Sequence, residues 1–418
     1  MQCSALAGMP DFFRKSITQN RKSLWIGSVI KFVQVTHRLQ GFRLIFRRFE
    51  AVDFLRLNAF SLVLFCFGGS VYTPLCRKCP AEFGCISQTG GCAMQNDETQ
   101  SFLADETGQP SNAWLNEQAL RLFNFFGPAA LNPKGGFWAL GRTGEPLRPA
   151  CAVQEVQPLH NATRFVHCFS LAHRFGFAGA ERMIDQGLEF ILKQHRDAQH
   201  GGYYWAVSND GVIDPAKQAY GHAFVLLAAA AAKAVMHPLA DRLLDDIVEV
   251  IEQRFWEPER GASREEFSAD WQALSTYRGQ NSNMHLTEAL IAAFAVTKDT
   301  MFLQKAEEIA YLIIDRHARS AQWRVPEHFD GNWEVDLDYS GDPMFRPAGT
   351  TPGHALEWSR LLIELYQAGE KRHSWLVEAA EQLFLNACQT GWCRDKGGFY
   401  YTLDWQNMPL QRKCLWWP

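Results

Sequence analysis

The chain has no apolar run long enough to cross a bilayer. A spanning helix needs about 20 such residues, and the apolar stretch from Ala59 to Tyr72 is shorter and interrupted by Ser61, Gly68, Gly69 and Ser70. It also lies far from residue 1, and no targeting signal stands at the very N-terminus. Charge of one sign is scarce. The 41 basic and 45 acidic residues leave a net charge of −4, without the basic excess that holds nucleic acid. In the later chain the cysteines form no framework. Cys151, Cys168, Cys388, Cys393 and Cys414 are odd in number and irregularly spaced, which points to reduced thiols and a cytoplasmic protein.

What is present divides at residue 94. Residues 1–93 are basic (Arg14, Lys15, Arg21, Lys22, Arg38, Arg43, Arg47, Arg48) and carry six cysteines. Cys76, Cys79, Cys85 and Cys92 are too irregular for a framed zinc site, so no metal is expected. This part reads as an N-terminal extension outside the fold and without a compact core, with Met94 a plausible start. Residues 94–418 form the domain. Their composition fits a globular protein, and aromatic residues, among them most of the 14 Trp, gather in loops from residue 136 onward. Aromatic loops suit a sugar, whose C–H faces stack on rings, and suit a packed core equally well.

Periodicity predicts helices from 111 onward, near 158–175, 178–195, 215–235, 239–254, 281–297, 301–317, 353–368 and 373–389. A glycine-aromatic loop recurs at Gly135-Gly136-Phe137-Trp138, Gly201-Gly202-Tyr203-Tyr204-Trp205 and Gly397-Gly398-Phe399-Tyr400-Tyr401. Gly261 and the Val325–Phe329 loop mark intermediate positions. The unit is therefore two helices and a short hairpin, repeated about every 65 residues, which predicts a solenoid or a closed ring. Asn209-Asp210-Gly211 adds a hairpin-turn signal. Candidate polar residues fall on alternate helices: Arg164, then Tyr220 and His222, then Asn281, His285 and Glu288, then His354 and Glu357. That alternation predicts an inner ring of helices.

Two helix starts carry His-x-x-Glu, His285 with Glu288 and His354 with Glu357. Residues three apart share a helix face. A carboxylate there can accept an imidazole N–H, set its tautomer and raise its basicity, as a general base requires. The two starts are expected to be equivalent and to line one pocket.

The segments NSNMHLTEA (281–289), FRPAGTTPGHALEWSRLL (345–362), ATRFVHCFSLAH (162–173) and KQAYGHAFVLLA (217–228) resemble the N-acylglucosamine 2-epimerase superfamily, within it the aldose–ketose isomerases acting on mannose or sulfoquinovose. The resemblance covers about residues 100–418. It implies an all-α (α/α)6 barrel and a reaction on a free reducing sugar that needs no metal or other cofactor. It implies opening of the sugar ring, removal of the C2 proton and reprotonation of a cis-enediol at C1. His354 is then an acid/base oriented by Glu357, and His285 assists ring opening or holds the region of the sugar's ring oxygen. Arg164 holds the developing oxyanion or O2, Tyr220, Asn281 and Glu288 contact hydroxyls, and Trp416 and Trp417 wall the pocket. His167 and His222 read as structural.

The chain departs from the family pattern at its end. It stops at Leu415-Trp416-Trp417-Pro418, where the family begins its tenth helix, and nine helices are counted. The expectation is a barrel lacking its last helices and a second catalytic histidine, poorly stable and inactive or nearly so; normal turnover by the purified chain refutes it. A sugar 2-epimerase, a glycoside hydrolase and a non-catalytic repeat protein are the alternatives, and homo-oligomerisation stays open.

Overall fold

The computed structural model describes residues 112–141, 143–147, 155–342 and 346–415. The expectations for residues 1–93, for Cys76 to Cys92 and for Trp416 and Trp417 lie outside the described residues. Residues from Phe123 onward fall in one compact unit.

Nine helices occur among the described residues: α1 (Asn112–Ala130), α2 (Leu159–Arg174), α3 (Ala180–Phe190), α4 (Ala219–Ala234), α5 (Ala240–Val250), α6 (Gln280–Thr297), α7 (Thr300–Ala310), α8 (Pro352–Ala368) and α9 (Trp375–Gly391). The even-numbered helices form an inner layer, α2 against α4, α4 against α6 and α6 against α8. Each of α3, α5, α7 and α9 packs outside the helix that precedes it. This is the (α/α)6-barrel arrangement. Burial follows it. In α4 the run Ala228 to Ala230 and Ala232 are fully packed, because small side chains let an inner helix approach neighbours on both sides. The outer helices bury one stripe only, such as Leu243, Leu244 and Ile247 of α5.

Three outer helices run on into a π-type turn, Ile191–His195, Ile251–Phe255 and Tyr311–Ala318. The glycine-aromatic loops follow. Gly202 shows why glycine recurs there. Its φ is +71°, and a Cβ would lie 2.6 Å from the Trp271 ring.

Short strands stitch each hairpin to the next. β1 (Gln157–Pro158) pairs with β2 (Ala206–Ser208), β4 (Lys217–Gln218) with β7 (Glu266–Phe267), and β8 (Arg278–Gly279) with β9 (His328–Phe329). β2 turns through Asn209-Asp210 into β3 (Gly211–Asp214), as the turn signal predicted. β5 (Trp256–Glu257) and β6 (Ala262–Ser263) pair within one loop, and β10 (Phe399–Leu403) pairs with β11 (Pro409–Leu415). Thr350 pairs with Leu403 in the place of a fourth stitch. The first backbone N–H of α2, α4 and α6 is thereby satisfied from the next loop: Leu159 by the Trp205 carbonyl (2.8 Å), Ala219 by Glu265 (2.8 Å) and Gln280 by Glu327 (3.1 Å).

A fully buried ion pair locks one loop. Lys217 Nζ donates to Asp197 Oδ2 at 2.6 Å and to the Gly201 carbonyl. Burial alone would raise the Asp197 pKa, but Lys217 and the N–H groups of His200 and Gln199 bring it down to about 2. Removing one partner leaves a buried charge unpaired. Lys217→Met is expected to cost about 3–5 kcal/mol in urea unfolding, and adding Asp197→Asn to recover part of it. A loss below about 1 kcal/mol would show the pair to be solvated.

Candidate active site

The polar residues gather at the heads of α2, α4, α6 and α8. The stitches give a common register, since Leu159, Ala219 and Gln280 each take the same backbone hydrogen bond. Five residues on from these come Arg164, Phe224 and His285. They touch in sequence. The Arg164 guanidinium lies over the Phe224 ring at 4.4 Å, and the Phe224 and His285 rings are 4.7 Å apart. Arg164 Nη2 donates to the Tyr220 hydroxyl at 2.8 Å, and the Tyr220 ring meets His285 edge-on at 5.3 Å. Asn281 is half-buried, and its Oδ1 has no hydrogen-bond partner among the described residues.

The two His-x-x-Glu segments are not equivalent. His285 is the sixth residue of α6 and His354 the third of α8. They are offset by about a turn and tuned in opposite senses. His285 Nδ1 lies 3.4 Å from Glu288 Oε2. Glu288 also accepts from Arg360 Nη2 at 2.6 Å, and Arg360 Nη1 donates to Glu364 at 2.7 Å. Burial would raise the Glu288 pKa, but Arg360 and His285 hold it well below the carboxylate range. With its carboxylate shared, burial dominates at His285 and lowers its pKa to about 4, so the ring is neutral at pH 7. Glu288, expected to contact substrate hydroxyls, is thus buried in an ion pair with Arg360.

His354 has a different orienting group from the one the spacing predicted. Both oxygens of Glu327 lie 2.9 Å from His354 Nδ1, whereas Glu357 has no hydrogen-bond partner among the described residues. Sharing a helix face does not bring Glu357 onto the ring, because Nδ1 is turned toward the loop that carries Glu327, 27 residues earlier. Glu327 also accepts from the Thr351 N–H at 3.1 Å. Burial opposes a charged His354, but Glu327 outweighs it and the His354 pKa is raised. Glu327 is lowered in turn, against its own burial, chiefly by His354. Glu357, half-buried, is pushed up by burial to about 7, near His354, Glu288, Arg360 and Arg164.

Glu327 was not singled out from sequence, although its loop was. Its signal lay in the repeat register, where it matches Trp205, whose ring stacks on His160 of the α2 head and meets Tyr220 of the α4 head edge-on. Tyr401 of β10 was missed as well; burial, then Glu327 and Tyr220, raise its pKa. His222 is consumed structurally, since Nδ1 faces the Gln218 carbonyl at 2.8 Å and Nε2 accepts from the Tyr203 N–H at 3.0 Å. Among the described residues no group of three or more His, Cys, Asp or Glu is arranged to hold a metal ion, and no helix is long and apolar enough to cross a membrane.

Residues 135–418 match the N-acylglucosamine 2-epimerase (GlcNAc 2-epimerase) family. A D-mannose isomerase of Pseudomonas cannabina pv. alisalensis is 43% identical over 313 residues, 73% of each chain. One of Thermobifida fusca is 43% identical over 312 residues, 73% of this chain and 75% of that protein. A crystal structure of D-mannose isomerase superposes with a TM-score of 0.66 at 30% identity, over 71% of this chain and 76% of that one.

Proposed function

We propose that this chain, which belongs to the N-acylglucosamine 2-epimerase family, is an aldose–ketose isomerase that interconverts a mannose-like and a fructose-like sugar by histidine-mediated proton transfer. The observation that carries the reading is the His354–Glu327 pair beside a neutral His285 and the Arg164 guanidinium. The irregular spacing of the cysteines in residues 94–418 supports a reducing, cytoplasmic setting.

Nδ1–H of His354 faces a carboxylate, so Nε2 is the basic nitrogen. It takes the C2 proton of the open-chain aldose. The electron pair moves into a C1–C2 enediolate, whose charge on O1 faces the donors of Arg164. The proton returns to C1, the hydroxyl proton of O2 passes to O1, and C2 becomes the carbonyl. A C–H beside a carbonyl is a weak acid, so placement of the base and donors for the oxyanion carry the rate. Neutral His285 and Tyr220 are assigned to ring opening and to a hydroxyl contact, and Asn281 Oδ1 to another hydroxyl.

The test is proton NMR in D2O with mannose, fructose and N-acetylmannosamine. The chain is run beside a version continued after residue 418 with the residues that follow the same motif in a full-length D-mannose isomerase. Conversion of mannose to fructose with deuterium incorporation is expected. Epimerised N-acetylmannosamine would favour the 2-epimerase, and sugar binding without exchange in either form would sink the enzyme reading.

The pH profile follows from His354. A base must be unprotonated, and its pKa is raised above the ordinary 6.5. The rate is expected to fall as pH drops through a pKa above 6.5. Glu357 is also pushed up, to about 7, so Glu357→Gln separates its contribution from that of His354. A limb that moves in Glu357→Gln and stays put in Glu327→Gln would assign it to Glu357.

A further inference from the structure

Gln280 opens α6 and is fully buried. Its side chain meets three groups. Trp358 Nε1 lies 2.7 Å from its Oε1. Its Nε2 lies 2.7 Å from Glu327 Oε2 and 2.9 Å from His354 Nδ1. An indole N–H only donates, so Trp358 decides which end of the amide is oxygen. The NH2 must then face Glu327, which only accepts when ionised.

We propose that Gln280, locked by Trp358, is a positioning residue for His354: it keeps Glu327 ionised and aimed at Nδ1, so that Nε2 is the nitrogen that exchanges a proton with substrate. A buried carboxylate stays ionised only while its oxygens are supplied with donors. Glu327 has three: the Thr351 N–H, the Gln280 NH2 and His354 Nδ1–H. Without the amide, burial gains and Glu327 takes up a proton more readily. His354 then loses the charge that opposes its own desolvation. The equivalent positions show that the arrangement is specific to this repeat. Leu159 and Ala219, which match Gln280 in register, are apolar. The other titratable groups that act on His354 and its partner include Glu357 on its own helix, His285 from α6, His328 beside Glu327, Tyr277 ahead of β8, and Tyr401 from β10.

The consequence for rate rests on the isomerase reading, whereas the protonation state does not, so it is measured directly. The full chain is labelled with 15N-histidine, and His354 is assigned by difference against His354→Asn. In the wild type, neutral His354 is expected to keep the Nδ1 proton while Nε2 titrates. Gln280→Leu is expected to lower its proton affinity by about tenfold or more, and Trp358→Phe to shift it in the same direction. The acid limb of kcat should follow, with KM little changed. A bare Nδ1 in the neutral wild-type ring would overturn the proposal even if neither variant folds. So would an unmoved His354 titration in either folded variant. Absence of turnover with the titration as described would count against the isomerase reading alone.

Discussion

His354→Asn is expected to lower mannose-to-fructose turnover by about a thousandfold, within the 10²–10⁴ that a positioned acid/base group contributes. The reference is whichever form of the chain turns over in the NMR assay. Asparagine retains a polar group of similar reach toward Glu327 but cannot carry the C2 proton. Sugar binding should change little, by about threefold or less, because a group acting in the transition state lowers kcat more than it raises KM. Glu327→Gln should leave His354 in place and remove the charge that raises its pKa. A loss of about a hundredfold is expected there, with the acid limb moved to lower pH. C2-hydrogen exchange at the wild-type rate in His354→Asn would remove His354 from the mechanism. Loss of sugar binding with loss of turnover would make it a substrate anchor instead.

Acid should unfold this protein before its exposed carboxylates protonate, although buried Glu357, at about 7, takes up its proton first and offsets about 1 kcal/mol per pH unit of the loss. Burial lowers the pKa of several histidines in the folded state, and four of them are held neutral with His167, His195 and His285 at about 4 and His222 at about 3. In the unfolded chain each returns to about 6.5. A folded pKa below the unfolded one means stability that is present above pH 6.5 and lost as pH falls toward the folded value. Four such groups give a slope of about 5 kcal/mol per pH unit once the unfolded histidines are charged. The loss is about 3 kcal/mol at pH 6 and about 8 at pH 5, comparable to the whole stability of a domain. His354 has the opposite sign. Its raised pKa stabilises below 6.5, and that contribution fades only as pH rises through the folded value. Below 6.5 it is charged in both states and adds little to the slope. The urea midpoint is therefore expected to drop steeply from pH 7 to pH 5. His222→Gln, which still offers a donor to Gln218 and an acceptor to Tyr203, should move the acid limit downward. A midpoint unchanged between pH 7 and pH 5 would mean that water reaches these rings and that the core is looser than its packing implies.

Sequence alone determined the helices, their alternation and the glycine-aromatic loops. These are local or periodic properties. Helical spacing of apolar residues sets which face is buried, and positive φ at Gly202 demands the glycine that recurs through the loops. Arg164, Tyr220, His285 and His354 were legible because they interrupt buried helix starts with groups that are costly to bury. Tertiary structure decided which partner each of them has. Glu288 is in reach of His285 but belongs as much to Arg360, 72 residues away. His354 turns from Glu357 to Glu327, because the stitch between β8 and β9 brings that carboxylate to the α8 head. The protonation of the two histidines followed from those partners. His285 and His354 share a sequence pattern and a buried environment. Burial prevails at the first, where the carboxylate is held by an arginine, and the carboxylate prevails at the second, where both its oxygens lie against the ring nitrogen. No spacing rule along one helix contains that information, since it depends on which loop the barrel closes against which helix.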